Sequence, residues 1–123
     1  MLNHYQMKEI PYLRILGRTN GSLEPVTLFW NASGIELNVK ATEIWVKIRS
    51  DYDAFEPWVD VIVDGVLSQR LMVNKGEQEI CLFRNMERDK VRNVKLLRDT
   101  PAFPTDEKTL LQLLEVETDG EFL

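Results

Sequence analysis

The stretch GIELNVKATEIWVKIRS, residues 34–50, alternates apolar and polar side chains so regularly that it constrains the fold more than any other part of the chain. Ile35, Leu37 and Val39 share one side, with Glu36, Asn38 and Lys40 on the other. After a tight connection at Lys40 to Thr42, Ile44, Val46 and Ile48 oppose Glu43, Trp45, Lys47 and Arg49. Successive side chains of an extended chain point to opposite faces, so each run predicts a strand with one face on a core and one toward water. Trp45 is the exception, a large apolar side chain in a slot where the pattern calls for a hydrophilic one.

The same period returns in PWVDVIVDGVLSQRLMVNKGEQEICLF. There Val59, Val61 and Val63 form a core face, Asp64-Gly65 supplies a hairpin turn, a second strand runs to about Val73, and NKGE turns the chain into a third strand through Phe83. Upstream, VTLFW is a short strand with Val26, Leu28 and Trp30 on its core side. Downstream, VRNVKLL follows the charged loop RNMERDK, and two prolines in DTPAFPTD break the pattern. The segment KTLLQLLEVE fits two readings: Leu110, Leu111, Leu113 and Leu114 suit a helical stripe, whereas Leu111 and Leu113 with the following Val-Glu-Thr suit a strand. Propensity favours helix, but surrounding strands override propensity, and strand is the reading taken. About eight short strands with turn signals between them predict an all-β, jelly-roll-like antiparallel β-sandwich.

At 123 residues the chain is sized for a single β-sandwich domain over 1–123, with about the first 12 residues expected as a flexible N-terminal segment. No apolar run approaches the roughly 18 residues of a membrane span. MLNHYQMKEIPYLR lacks the features of a secretory signal, so a cytoplasmic location is expected unless a leader has been removed. The net charge of −5, with no basic cluster, disfavours nucleic acid. Cys81 is the only cysteine, which rules out an internal disulfide and a thiolate cage; in EICLF it reads as a small hydrophobe within a strand.

Groups able to attack or move protons are scarce. His4 is the only histidine and falls in the segment expected to fray, so a Ser-His-Asp or Cys-His arrangement has no positioned imidazole. Phosphate-binding, dinucleotide and nucleophile-elbow motifs are missing. Asp51 with Asp53, and Asp60 with Asp64, are the carboxylate pairs that glycoside chemistry would need, but they read as a solvated loop and the outer side of a strand. Asn20 and Asn31 match the glycosylation pattern and read as turns. No spaced Asp/Asn/Gly loop suggests calcium, so neither metal nor cofactor is expected.

Sugar rings pack their C–H faces on exposed aromatic rings, which directs attention to the aromatics. Trp45 and Trp58 both have outward parity, Trp58 sharing the side of Asp60 and Asp64, and Tyr52 lies in the adjoining loop SDYDAFEPW. Trp45, Trp58 and Tyr52 are therefore the candidates for carbohydrate binding or a domain interface, with Trp45 and Trp58 expected as two halves of one patch. Such a patch calls for cover. It can come from the chain's own loops, from another domain, or from a sugar.

With these residues laid out, the chain resembles the N-terminal β-sandwich domain of carbohydrate esterase family 2, the acetyl-xylan esterases and related deacetylases. LGRT, Leu16 to Thr19, is similar to the Gly-Arg element that opens that domain. FWNASGIELNVKATEIWVKI is similar to its strand, Ser-Gly turn and two alternating strands, and WVDVIVDGVLSQRLMV to its strand, Asp-Gly turn and strand. The chain departs where the family shows a His before the next strand and a Thr-Glu after it; here Arg92 and DTPA, with Pro101, occupy those places. The resemblance implies a non-catalytic domain whose partner is a C-terminal hydrolase domain of the SGNH type acting on acetylated polysaccharide or oligosaccharide. The Gly-Asp-Ser of such a hydrolase is not in this sequence. Two other readings remain: an independent carbohydrate-binding module, and a protein-interaction or oligomerisation domain.

Overall fold

Among the described residues the chain forms eleven strands: β1 (Asn3–Gln6), β2 (Arg14–Leu16), β3 (Val26–Thr27), β4 (Gly34–Lys40), β5 (Ile44–Asp51), β6 (Trp58–Val63), β7 (Val66–Met72), β8 (Gly76–Phe83), β9 (Val91–Arg98), β10 (Leu110–Thr118) and β11 (Glu121–Phe122). The computed structural model describes residues 2–17, 26–28, 33–52, 56–99 and 110–123. Trp30, Asp53, Asn20, Asn31 and Pro101 lie outside them.

The strands make two antiparallel sheets. In the first the order is β1, β10, β5, β8, with β3 also on the outer edge of β10; in the second it is β11, β4, β9, β6, β7, with β2 also on β4. From β3 to β10 the chain crosses between the sheets at nearly every step, and only the β6–β7 hairpin stays in one. This is the connectivity of an eight-stranded jelly roll, with β1, β2 and β11 added along one edge. The fold class is the all-β sandwich expected from the alternation.

The central strands β4, β5, β6, β9 and β10 bury one face because the opposite sheet covers it. Ile44, Val46, Ile48, Leu111, Leu113 and Val116 of the first sheet meet Ile35, Leu37, Val39, Val59, Val61 and Leu96 of the second, all 3% exposed or less. At about 25 cal/mol per Å² of apolar surface, this burial is the main stabilising term. Close approach sets one glycine and a turn sets another. A Cβ on Gly34 would stand 1.9 Å from the Leu96 carbonyl oxygen, so only glycine lets β4 begin against β9. Asp64 and Gly65 both adopt positive φ, 52° and 82°, as a tight hairpin turn between right-twisted strands requires.

The inner face of β10 is not set by simple alternation. Leu111 and Leu113 are buried, and so is Val116, three residues later, because a bulge leaves Leu114 unpaired between Leu113, opposite Ile48, and Glu115, opposite Lys47. One extra residue reverses which face every later side chain occupies. Without it, Glu115 and Glu117 would point into the core. The strand reading of KTLLQLLEVE holds over Leu110–Thr118.

Within the first 12 residues, expected as a flexible segment, the structure has a paired strand and buried side chains. Asn3–Gln6 pairs with Glu115–Thr118, and Met7 and Ile10 are buried at 1% and 6%. Apolar residues flanking a 3-10 turn over Met7–Glu9 give this segment its own share of the core, which a count of strand periods does not reveal.

Both edges of the sandwich are closed by side chains, which blunts the exposed ladders. On one, the Gln69 side-chain amide donates to the Cys81 carbonyl at 2.9 Å, joining β7 to β8. On the other, Tyr5 and Phe122 meet edge to face, with centroids 5.0 Å apart.

Candidate functional site

Trp45 lies near the start of β5 on the outer face of the first sheet, between Cys81 on β8 and Glu117 on β10. Its flanking residues Ile44 and Val46 are fully buried, which sends the indole outward, where it is half-buried. The indole N–H donates to the Glu43 carboxylate at 3.0 Å. The ring forms part of a groove of about 430 Å³, lined also by Val63, Ser68, Gln69, Cys81 and Met86. Part of the cover that Trp45 needs therefore comes from the β6–β7 hairpin and the loop after β8. Burial raises the Cys81 thiol pKa, with Arg84 opposing, so this thiol is a poor nucleophile at neutral pH.

Trp58 opens β6 on the outer face of the second sheet, and its N–H lies 3.4 Å from the Glu56 carboxylate. Its surroundings are ionic. Arg70 contacts Asp60 at 3.0 Å and Asp99 at 2.7 Å. Burial and the neighbouring Asp60 raise the Asp99 carboxyl, while Arg70 lowers it. Asp64, the other half of that carboxylate pair, is occupied in the hairpin turn: it accepts from the Asn93 backbone N–H and from Arg92, both at 3.0 Å.

Tyr52 follows the end of β5, where its backbone N–H donates to Asp51 at 2.9 Å and the Lys75 ammonium sits 5.1 Å from its ring centre. Seven residues of strand separate it from Trp45, about 23 Å at the usual rise. Trp45 thus stands apart from both Tyr52 and Trp58, and the single patch expected for Trp45 and Trp58 does not form. Their parity was read correctly, but their strands belong to opposite sheets, whose outer faces look away from each other.

Two features were not legible in advance. Tyr12, 76% exposed with φ of 63°, is an aromatic displayed on the turn before β2. His4, far from frayed, stands beside carboxylates: its Nδ1 is 3.1 Å from Glu115 Oε1 and 3.5 Å from Glu117 Oε1. Glu117 is 5% exposed, and its carboxyl is raised by burial first and by the adjacent Glu79 second. The positions follow only from the β1–β10 pairing and the bulge at Leu114.

At the end of the sandwich near Trp45, Asp119 fastens a turn. It accepts from the backbone N–H groups of Thr42 at 3.0 Å and Glu43 at 3.3 Å, from the Thr42 hydroxyl, and from Arg88 at 2.7 Å. Burial alone would raise this carboxyl; the Thr42 and Glu43 bonds and the Arg88 charge outweigh it and hold the pKa below the usual carboxylate range. Among the described residues the one imidazole meets carboxylates, which gives no nucleophile with a general base beside it.

The fold and these surfaces define a jelly-roll β-sandwich module. No family model matches the sequence, and no curated protein matches it significantly. Among solved structures, the chain is similar to an acetyl xylan esterase from the rumen bacterium Butyrivibrio proteoclasticus, at 34% identity and TM-score 0.95, over 99% of this chain and 33% of that one. A family two carbohydrate esterase from Clostridium thermocellum, in complex with cellohexaose, matches at 25% identity and TM-score 0.75, over 90% of this chain and 32% of that one. A carbohydrate-binding module, CBM36, in complex with calcium and xylotriose, shares the fold at 17% identity and TM-score 0.55, over 98% of this chain and 99% of that one. The chain is a β-sandwich domain similar to part of each of these esterases, one of them a family two carbohydrate esterase, and it spans about a third of their length.

Proposed function

We propose that this chain is the non-catalytic N-terminal jelly-roll domain of an acetyl esterase of the family 2 kind, where it supports a hydrolase domain of the SGNH type and contributes one wall of the cleft for acetylated polysaccharide. The observation that carries this reading is the 34% identity maintained over 99% of this chain against one third of an acetyl xylan esterase. The lack of a nucleophile beside a positioned base among the described residues supports a role outside the chemistry. The half-covered Trp45 groove is the surface we assign to the partner domain, since aromatic side chains are enriched at such contacts.

The test compares the chain alone with the chain joined to an SGNH hydrolase domain. The chain alone is expected to release no acetate from acetylated xylan. Trp45→Ala is expected to lower the thermal midpoint of the joined protein more than that of the isolated chain, and equal losses in both would remove Trp45 from the interface.

A second reading is an independent carbohydrate-binding module. It is supported by the whole-chain likeness to the CBM36 domain, whose described complex contains calcium and xylotriose. The separation of Trp45 from Trp58 and from Tyr52 weighs against a continuous aromatic platform. Saturable quenching of tryptophan fluorescence by xylo- or gluco-oligosaccharides at sub-millimolar concentration would favour this reading.

A further inference from the structure

We propose that His4, Glu115 and Glu117 form a site for a divalent transition ion of the zinc type on the outer face of the first sheet. This site adjoins Trp45, the cross-strand neighbour of Glu117, shares no residue with the lining of the groove, and does not depend on the esterase reading.

The geometry comes from two strands. Pairing of β1 with β10 sets His4 opposite Glu117, and the bulge at Leu114 turns Glu115 and Glu117 to the outer face beside it. One donor atom from each of the three residues lies within 4.8 Å of the others. The imidazole nitrogen is 3.1 Å and 3.5 Å from the two carboxylate oxygens. In a tetrahedral zinc site with bonds of about 2.0–2.2 Å, neighbouring donor atoms stand about 3.3–3.6 Å apart, so both distances from the imidazole are close to ligand spacing.

Glu117 supplies the independent observation. It is 5% exposed, and its Oε1, the oxygen facing His4, has no hydrogen-bond partner among the described residues. A buried carboxylate oxygen without a donor is costly, and water cannot relieve it once solvent is excluded. The electrostatics compound that cost. Glu79 also abuts Glu117, and Glu115 adds a further carboxylate, so at most one imidazolium faces three acids. A dication bound by His4, Glu115 and Glu117 relieves the unsatisfied oxygen and the mutual repulsion together.

The donor set selects the ion. An imidazole nitrogen with two carboxylates suits zinc and its first-row neighbours, whereas calcium takes six to eight oxygens. Three protein donors leave a fourth position on the solvent side, where the His4 side chain is 59% exposed. Bound metal would pin β1, the N-terminal edge strand, to β10.

Calorimetric titration of the chain, carrying no polyhistidine tag, with zinc sulfate tests this. One ion is expected to bind per chain in the micromolar range and to raise the thermal midpoint. His4→Ala and Glu117→Gln are each expected to weaken binding by about tenfold or more and to abolish that rise. Glu115→Gln provides a third variant if either of the others fails to fold. Cobalt in place of zinc should show the visible absorption of a tetrahedral ion. The proposal is overturned if no saturable binding occurs below millimolar zinc. It is equally overturned if the folded variants bind as the parent chain does, or if Cys81→Ser removes the binding instead.

Discussion

Trp45 and Trp58 hold the same place in the strand pattern and have opposite surroundings. Trp45 sits in a groove whose other walls come from β7, β8 and the loop after β8, and its N–H is held by Glu43. Trp58 stands on the other sheet beside the Asp60, Arg70 and Asp99 ion pairs. Outward parity is a local property of a strand, whereas a surface is a property of the sheet that the strand joins. What the two sites share is the core between them.

Removing core volume should therefore affect both sites most strongly and together. Leu113→Ala, at a position 0% exposed, is expected to cost about 2–5 kcal/mol in urea unfolding. Emission read in Trp45→Phe and Trp58→Phe backgrounds should report the same midpoint. Two separate midpoints would mean that the faces unfold independently.

A smaller effect should distinguish the end near Trp45. Asp119→Ala is expected to cost about 1–2 kcal/mol, because it leaves the part-buried backbone donors of Thr42 and Glu43 unpaired. Since the folded state holds the Asp119 pKa below its unfolded value, its contribution is complete above about pH 4 and is lost as pH falls through the lowered value. Urea midpoints measured from neutral to acid pH should fall more steeply for the parent than for Asp119→Asn. Parallel curves would show that the clasp adds nothing.

Alkylation of Cys81 should separate the two indoles without changing stability much. Burial raises the thiol pKa, so labelling is expected to be slow at neutral pH and to accelerate in alkali. In a Trp30→Phe background, the label should shift the emission of the Trp58→Phe variant, which then retains only Trp45, and leave that of the Trp45→Phe variant unchanged. A shift in both would put the two rings closer than the opposite sheets allow.

The smallest effect is expected at Trp58. Arg70→Ala removes the ion pairs to Asp60 and Asp99, whose cation is exposed and screened by salt and solvent, and its urea midpoint should fall only slightly. A clear loss would make the Trp58 face a second structural anchor.

Much of this fold was legible because burial in a sandwich repeats every two residues. Ile35, Leu37, Val39, Ile44, Val46 and Ile48 are inside as their alternation requires, and Asp64-Gly65 turns as its chemistry requires. The resemblance to family 2 carbohydrate esterases was legible for the same reason, as it rests on the order of strands and turns. Site geometry was not. Tyr52, Trp45 and Trp58 read as one neighbourhood because they are close in sequence, yet the chain changes sheets between β5 and β6. Residues 1–12 read as a tail because their few apolar side chains do not alternate.

The sequence by itself determined the all-β class, the positions of most strands, and which side of β4 and β5 meets the core, since those depend on the local pleat. Only the tertiary structure decided which strands became neighbours, that β1 lies on β10, and that one unpaired leucine turns Glu115 and Glu117 away from the core toward His4. Pairing partners and bulges are settled by contacts between residues far apart in the chain. Their energies come from the packing of two sheets, which no local window of sequence contains.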